Sequence, residues 1–148
     1  MPSFKNLKEL EKFLQKQIND ALKNEVKNEV EETIRDHIQK DVYEAYTPYS
    51  TDGKTPHYER TYELLRSIES NLVDDGVLSV ENTRHEGNRN IVEVIEYGQG
   101  YQWGYVRNLD EEIGARPFIE NTREELRQTN KHVGALKKGL KRQGVDVE

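Results

Sequence analysis

The apolar residues in the first third of the chain recur with a helical period. They fall almost every four residues, at Leu7, Leu10, Leu14, Ile18, Leu22, Val26, Val30, Ile34, Ile38 and Val42. This spacing predicts a helical region over residues 3–46, with Ser3 as its N-cap. Four residues of an ideal helix turn by about 400°, so the apolar stripe drifts by roughly 40° at each step.

The drift leaves two interpretations of this long N-terminal helix. The helix bends or breaks, for which the repeat KNEVKNEV (Lys23–Val30) is the candidate position. Alternatively, it contacts different neighbours along its length, as a helix shared between subunits would. The sequence by itself leaves both open.

Residues 47–70 predict a loop followed by a short helix. The run TPYSTDGKTPH contains two prolines and a glycine, which are typical of loops. The run ERTYELLRSIES then predicts a short helix that carries Leu64, Leu65 and Ile68.

Residues 71–98 predict an antiparallel β-meander. Apolar runs on both sides of Asp74-Asp75-Gly76 indicate a tight hairpin, and Thr83–Asn90 has the composition of a second turn. Ile91–Gly98, IVEVIEYG, is rich in β-branched residues and predicts the strongest strand. We therefore expect a sheet of three to four strands.

The rest of the chain predicts an aromatic and glycine-rich loop over residues 99–115 and a C-terminal helix over residues 116–143. The helix is expected to begin near Pro117 and to pack on the sheet, and Gly139 and Gly144 indicate a fraying end before a tail at 144–148. The prediction is one α+β domain over residues 1–148. Its expected core includes Leu64, Leu65, Ile68, Val92, Val94, Phe118 and Leu126.

Composition limits the possible functions. Hydrophobic residues make up 33% of the chain and charged residues 34%, so the core should be thin and oligomerisation would add stability. The net charge of −6 argues against a general nucleic-acid binder, which needs a basic face. The charged N-terminus and the absence of a long apolar run predict a soluble protein without a membrane partner.

Motifs for catalysis or metal binding are weak in this sequence. The four histidines, His37, His57, His85 and His132, do not stand at ligand spacing, and HExxH fails because position 89 is Arg. The loop Pro48–Glu59 imitates a calcium loop but has Pro48 where Asp is needed. We expect no catalytic residues, no cofactor and no metal, and keep a metal-dependent nuclease using Glu, His85 and Arg84 as an alternative.

The aromatic residues favour an interface. Tyr, Trp and Arg are the residues that most often anchor protein interfaces. The candidate interface residues are Tyr49, Tyr58, Tyr101, Trp103, Tyr105 and Arg116. The alternative is that these rings cover a thin core in their own subunit.

Three stretches resemble the neck and tail-completion proteins of tailed bacteriophages. AYTPYSTDGKTPHYERTYELLRSIES is similar to their segment with a Tyr-Pro before a loop and a Leu-rich run. VEVIEYGQGYQWGY resembles their strand ending in Glu-x-Gly, and GARPFIENTREEL resembles their Ala-Arg-Pro-Phe before the last helix. The order and spacing fit, and the resemblance covers about Val42 to Leu126.

The resemblance implies a virion or prophage structural protein at the head–tail junction. Such proteins form homo-oligomeric rings, often of six subunits, that complete the tail or join it to the head. The resemblance implies that the partners are other neck, connector or tail-tube proteins and that DNA only passes through the lumen of the ring. It also implies that the protein assembles in the host cytoplasm and then becomes part of the virion. In this reading, Arg116-Pro117 fixes the entry of the last helix, Phe118 and Ile119 attach it to the sheet, and Arg116 pairs with Glu93 or Glu96.

A different class of function stays open beside this one. A small soluble adaptor would bind a single protein partner through the Tyr/Trp loop, as a monomer or dimer. The native mass distinguishes it from a ring.

Overall fold

A computed structural model describes residues 3–43, 62–98 and 115–147, and it has an α+β fold. Contacts divide the chain into two compact units. The first unit is built from Met1–Glu32, Glu69–Glu81 and Glu125–Glu148, and the second from Thr33–Ile68 and Asn82–Glu124.

The predicted N-terminal helix extends over Leu7–Tyr43. It consists of α1 (Leu7–Ala21), a π turn (Leu22–Val26), α2 (Lys27–His37) and a second π turn (Ile38–Tyr43). The N-cap is Asn6 and not Ser3, because the Asn6 side chain accepts a hydrogen bond from the Glu9 amide at 3.0 Å. The helix therefore begins at Leu7, which is 75% exposed and lies outside the buried stripe.

The two π turns explain how a four-residue apolar repeat stays buried. A π turn takes in one extra residue, and so sets the following side chains back by roughly 100°. Two such turns remove most of the roughly 320° drift expected between Leu10 and Val42. The first π turn overlaps the KNEVKNEV repeat, where the sequence indicated a bend or break. The buried apolar residues of this segment are Ala21, Val26, Ile34, Ile38, Val42 and Tyr43.

The first predicted hairpin is present. The second, between the strand before Thr83 and Ile91–Gly98, is not; the predicted turn Thr83–Asn90 instead contains a separate two-stranded antiparallel sheet. Strand β1 (Ile68–Asp74) pairs with β2 (Val77–Asn82) across the predicted turn, where Gly76 has a φ of 74°. Strand β3 (His85–Glu86) pairs with β4 (Arg89–Asn90) across a turn in which Gly87 has a φ of 59°. Both glycines take the left-handed conformation that such turns require. A short helix, α3 (Glu63–Arg66), precedes β1, as predicted, but Ile68, which was expected on this helix, begins β1.

The prediction of a strand at Ile91–Gly98 is wrong. Residues Ile91–Tyr97 form helix α4, so the described residues contain no three- or four-stranded sheet. The Asn90 side chain caps the helix by accepting from the Glu93 amide at 3.2 Å, and Gly98 ends it with a φ of 70°. These caps at both ends outweigh the β-propensity of the branched residues, which is a context-dependent preference.

The predicted C-terminal helix is two helices, α5 (Phe118–Thr129) and α6 (Lys131–Arg142). Asn130 separates them with a φ of 52°, a conformation that Asn tolerates better than most residues. Helix α6 packs against α1 and the first π turn, and not on a sheet. Gly139 faces Ala21 at this contact and is buried.

The predicted fraying end after α6 is also wrong. The Val145 amide donates to the Leu140 carbonyl at 2.9 Å and the Gly144 amide to the Lys141 carbonyl at 3.0 Å. With Gly144 at a φ of 87°, these bonds form a Schellman cap, which satisfies carbonyls that the helix leaves free. Val145 is buried, so the cap also closes an apolar contact.

The predicted core is correct for its two most buried members only. Phe118 has no exposed surface and Leu64 is buried. The other five, Leu65, Ile68, Val92, Val94 and Leu126, are only half-buried. Among the described residues, the largest group of buried apolar side chains instead lies along the N-terminal helical segment. Within the described residues, no helix has both the length and the apolar character to cross a membrane.

Candidate functional site

The candidate site is the joint at which α5 meets α4, in the second unit. It contains the Ala-Arg-Pro-Phe segment, Ala115–Phe118, that the sequence singled out. The Arg116 amide donates to the Ile95 carbonyl at 2.8 Å, which fixes the chain against α4 just before α5 begins. Arg116 is 8% exposed and Phe118 is fully buried.

The first amides of α5 are all satisfied, although its N-terminal residue offers no side-chain acceptor. The Asn121 amide donates to the Pro117 carbonyl at 2.9 Å, which places Pro117 at the N-cap, and the Phe118 amide donates to the Arg116 carbonyl at 2.8 Å. The Glu96 carboxylate accepts the next two amides, from Ile119 and Glu120, both at 3.0 Å. These are the amides that a capping Ser or Asp would bind.

Glu96 therefore acts as a cap supplied from another helix. A carboxylate at a helix N-terminus also interacts favourably with the positive end of the helix dipole. The sequence predicted that Arg116 would pair with Glu93 or Glu96 on a strand. In the structure that segment is helical, and both oxygens of Glu96 accept backbone amides of α5.

An open groove of about 390 Å³ lies beside this joint. Its walls combine apolar side chains with three carboxylates and one guanidinium. The lining residues are Val92, Glu93, Glu96, Tyr97, Pro117, Ile119, Glu120 and Arg123. Tyr97 is 69% exposed, and Arg123 lies 3.5 Å from Glu120. The groove therefore combines apolar surface with charged groups.

Comparison with known proteins identifies the family. The YomN family model matches residues 6–142, which include the whole joint between α4 and α5. The chain belongs to the YomN family. It is similar to the SPbeta prophage-derived protein YomN of Bacillus subtilis (strain 168), with 36% identity over 117 residues, 76% of this chain and 74% of the relative. No solved structure matches.

Membership in the YomN family supports a phage origin for the chain. The sequence resemblance to phage proteins is confirmed to this extent. The more specific assignment to neck and tail-completion proteins is a proposal.

The residues of the nuclease alternative lie in the second unit of this YomN family member. The Arg84 guanidinium lies 2.7 Å from Glu63 and 3.4 Å from Glu86, and it donates to the His85 carbonyl at 2.6 Å. The His85 ring nitrogen Nδ1 lies 2.7 Å from the Thr83 carbonyl. Both side chains thus make contacts to β3 and to residues that precede it in the chain. Among the described residues, no three His, Asp or Glu side chains are grouped so that they could hold a metal ion.

Of the six predicted interface residues, the structure describes Arg116. The other five, Tyr49, Tyr58, Tyr101, Trp103 and Tyr105, lie outside the described residues. Three tyrosines close to these segments are described. Tyr97 is 69% exposed, whereas Tyr43 is buried and meets Tyr62 edge to face at 5.2 Å between ring centroids. The rings of Tyr43 and Tyr62 pack within their own chain, and the interface assignment of the six stays a prediction.

Sequence reasoning missed Glu96 as the key residue of the joint. Glu96 and Ile119 are 23 residues apart, so no local spacing relates them. The helix that carries Glu96 did have a readable signal, because Asn90 followed three residues later by Glu93 is typical of a helix N-terminus.

Proposed function

We propose that this protein is a non-enzymatic structural component of a tailed-phage virion or a prophage-derived particle. In this proposal it forms a homo-oligomeric ring at the head–tail junction, with a hexamer favoured. The ring completes the tail or joins it to the head, contacts other neck, connector or tail-tube proteins, and lets DNA pass through its lumen. It assembles in the host cytoplasm and ends in the virion.

The observation that carries the proposal is the relationship to a prophage-derived protein over three quarters of the chain. It supports a phage origin, and the order of the three motifs in the sequence then favours the junction among the possible phage functions. The net charge of −6 is compatible with a ring wall that does not bind passing DNA.

The joint at Ala115–Phe118 supports a structural role for the most recognisable of these motifs. Its residues are used to fix how α5 begins: Arg116 is bonded to α4, Phe118 is buried, and Glu96 caps the helix. These contacts fix the orientation of α5. A fixed helix orientation is compatible with a structural role in an assembly.

Three measurements test the proposal. The native mass of the purified chain should correspond to a ring of several subunits, and mass spectrometry of purified particles should detect the chain in them. In-frame deletion of its gene should leave filled heads and tails that are unjoined in electron micrographs.

Other outcomes would favour the alternatives. A monomer or dimer that is absent from purified particles favours the adaptor that binds a single protein partner. Cleavage of DNA that EDTA abolishes, and that His85→Ala removes, favours the metal-dependent nuclease.

A further inference from the structure

The hairpin of the first unit is strongly acidic. Ile68–Asn82 carries four carboxylates and no basic residue, at Glu69, Asp74, Asp75 and Glu81, and all four are exposed. We call this element the acidic hairpin. Carboxylate clusters are common on solvated surfaces. The acidic hairpin therefore indicates a binding surface only if a complementary basic surface exists.

Helix α6, in the same unit, is strongly basic. It carries five Lys and Arg residues and no acidic one. Lys137, Lys138 and Lys141 are exposed, and Lys141 lies four residues from Lys137 and three from Lys138, so the three share one side of the helix. We call these three residues the lysine face. The opposite side of α6, which contains Gly139, packs on α1.

Within the part of the chain that the structure describes, the charges of these two surfaces form no ion pairs. Among the described residues, no ion pair involves the four carboxylates of the acidic hairpin or the three ammonium groups of the lysine face. The other basic residues of α6 differ in this respect. Arg142 pairs with Asp20 and Glu25, and Lys131 lies 2.5 Å from Glu125.

Each surface also exposes apolar side chains. Val73 is 62% and Val77 47% exposed at the end of the acidic hairpin, and Val133 is 40% exposed one turn before Lys137. Burying such side chains is favourable, and complementary charges around them fix the partner and the register more than they add affinity.

We propose that the acidic hairpin of one copy docks on the lysine face of the next copy. The partner is a second copy because this chain supplies the complementary charge itself, four carboxylates against three ammonium groups. A contact between two different surfaces is heterologous, and such contacts generate a ring when the rotation between copies closes. The inference rests on the proposed ring and names the surfaces that form it.

The test uses two charge-reversed variants of the full chain. Variant A carries Lys137→Glu, Lys138→Glu and Lys141→Glu, and variant B carries Glu69→Lys, Asp74→Lys and Glu81→Lys. Asp75 is left unchanged because it accepts a hydrogen bond from Asn19 at 3.1 Å. Each variant alone then opposes like charges at the contact, so each should be a monomer at concentrations where the unmodified chain is fully assembled.

Mixing the two variants gives the decisive result. The unchanged acidic hairpin of A fits the unchanged lysine face of B, and the two reversed surfaces also fit each other. An equimolar mixture should regain the native mass of the assembly, with A and B at a 1:1 ratio. This rescue also shows that both variants are folded, which matters because Glu near the end of α6 opposes the helix dipole.

A matched control reverses three lysines on α1, with Lys8→Glu, Lys12→Glu and Lys16→Glu. These residues are exposed, stand at helical spacing and change the net charge as variant A does. The control should assemble like the unmodified chain. Assembly should also weaken when salt rises from about 0.1 M to 1 M, because exposed charges are then screened beyond a few ångströms.

Four results would overturn the inference. In the first, variant A still assembles, and in the second, the α1 control dissociates as variant A does. In the third, the mixture of variants A and B stays monomeric. In the fourth, variant A loses binding to a DNA duplex while its native mass is unchanged. The last would make the lysine face a nucleic-acid surface. An unmodified chain that is itself monomeric would instead remove the proposed ring, so the two failures are distinguishable.

Discussion

At the scale of single residues, the pairing of Arg142 with Glu25 and Asp20 fixes the end of α6 to the N-terminal helical segment. The guanidinium donates to both carboxylates, with a further bond of 3.3 Å to the second oxygen of Glu25. The hydrogen bond from Arg142 holds the pKa of Glu25 below the usual value of a glutamate. Glu25 also lies beside Gly139, at the closest approach of the two helices.

This pairing gives a pH-dependent expectation. A carboxylate whose pKa is lowered by folding stabilises the folded chain above its unfolded-state pKa, and this contribution is lost as the pH falls through the folded-state value. Arg142→Gln should therefore raise the pKa of Glu25 and lower the free energy of unfolding at neutral pH. The difference from the unmodified chain should shrink below about pH 4.5, the ordinary value for this group.

The measurement is denaturant unfolding from pH 3 to pH 7, with NMR titration of Glu25. Lys23→Gln is the matched control, because it removes an exposed positive charge two residues from Glu25 and leaves Arg142 in place. A stability difference that stays constant across this pH range would show that Arg142 acts by packing alone.

At the scale of secondary-structure elements, the contact of α6 with α1 depends on a glycine. A Cβ added at Gly139 would lie 2.6 Å from Ala21 Cβ and 3.0 Å from Ala21 Cα, so the helices could not stay this close. Gly134 lies on the same helix and is exposed, with nothing within 4 Å of an added Cβ. Alanine substitutions at the two glycines therefore distinguish two effects on stability. At Gly134 only the helix propensity changes, whereas at Gly139 the packing of α6 on α1 changes as well.

We expect Gly139→Ala to be less stable than Gly134→Ala by about 1–3 kcal/mol. Both variants gain the roughly 1 kcal/mol by which Ala exceeds Gly in a helix, and only Gly139→Ala overpacks a contact. Chemical denaturation of the two variants measures the difference. Equal stability of the two would mean that α6 moves away from α1 without cost.

The cap on α5 gives a second expectation at this scale. Glu96→Ala should lower the free energy of unfolding by about 0.5–2 kcal/mol, the range for lost N-caps, and should speed hydrogen exchange at the Ile119 and Glu120 amides. Glu93→Ala is the control, since no hydrogen bond to its carboxylate occurs within the described residues. If both variants lose the same stability and exchange at those amides is unchanged, Glu96 does not cap α5 in solution.

At the scale of the whole molecule, assembly is the property that the proposed function requires. The sequence predicts that Trp103, which lies outside the described residues, contacts a neighbouring subunit or the next ring. We expect Trp103→Ala to keep the circular dichroism spectrum of the unmodified chain and to fail in assembly or in joining heads to tails. A variant that unfolds, or that assembles normally, would assign Trp103 to the core or to solvent instead.

The sequence by itself determined the features that a few neighbouring residues encode. The four-residue apolar repeat predicted the N-terminal helical segment. Asp74-Asp75-Gly76 predicted the first hairpin, and Pro117 predicted the start of α5. Each signal acts within one turn of helix or one hairpin, so it needs no distant partner. The motifs in order also gave the phage origin, which the family comparison supports.

The tertiary structure decided what depends on residues far apart in the chain. The caps that make Ile91–Tyr97 a helix are local, but the burial of Ile95 and the hydrogen bond from the Arg116 amide to its carbonyl join this helix to residues far along the chain. From the sequence alone, Gly139 indicates a fraying helix end and Glu96 a solvent-exposed carboxylate. In the structure, Gly139 packs against Ala21, and Glu96 accepts a hydrogen bond from the first turn of α5. The role of each of these residues depends on a contact with a residue that is distant in the sequence. The spacing of residues along the sequence does not predict such a contact.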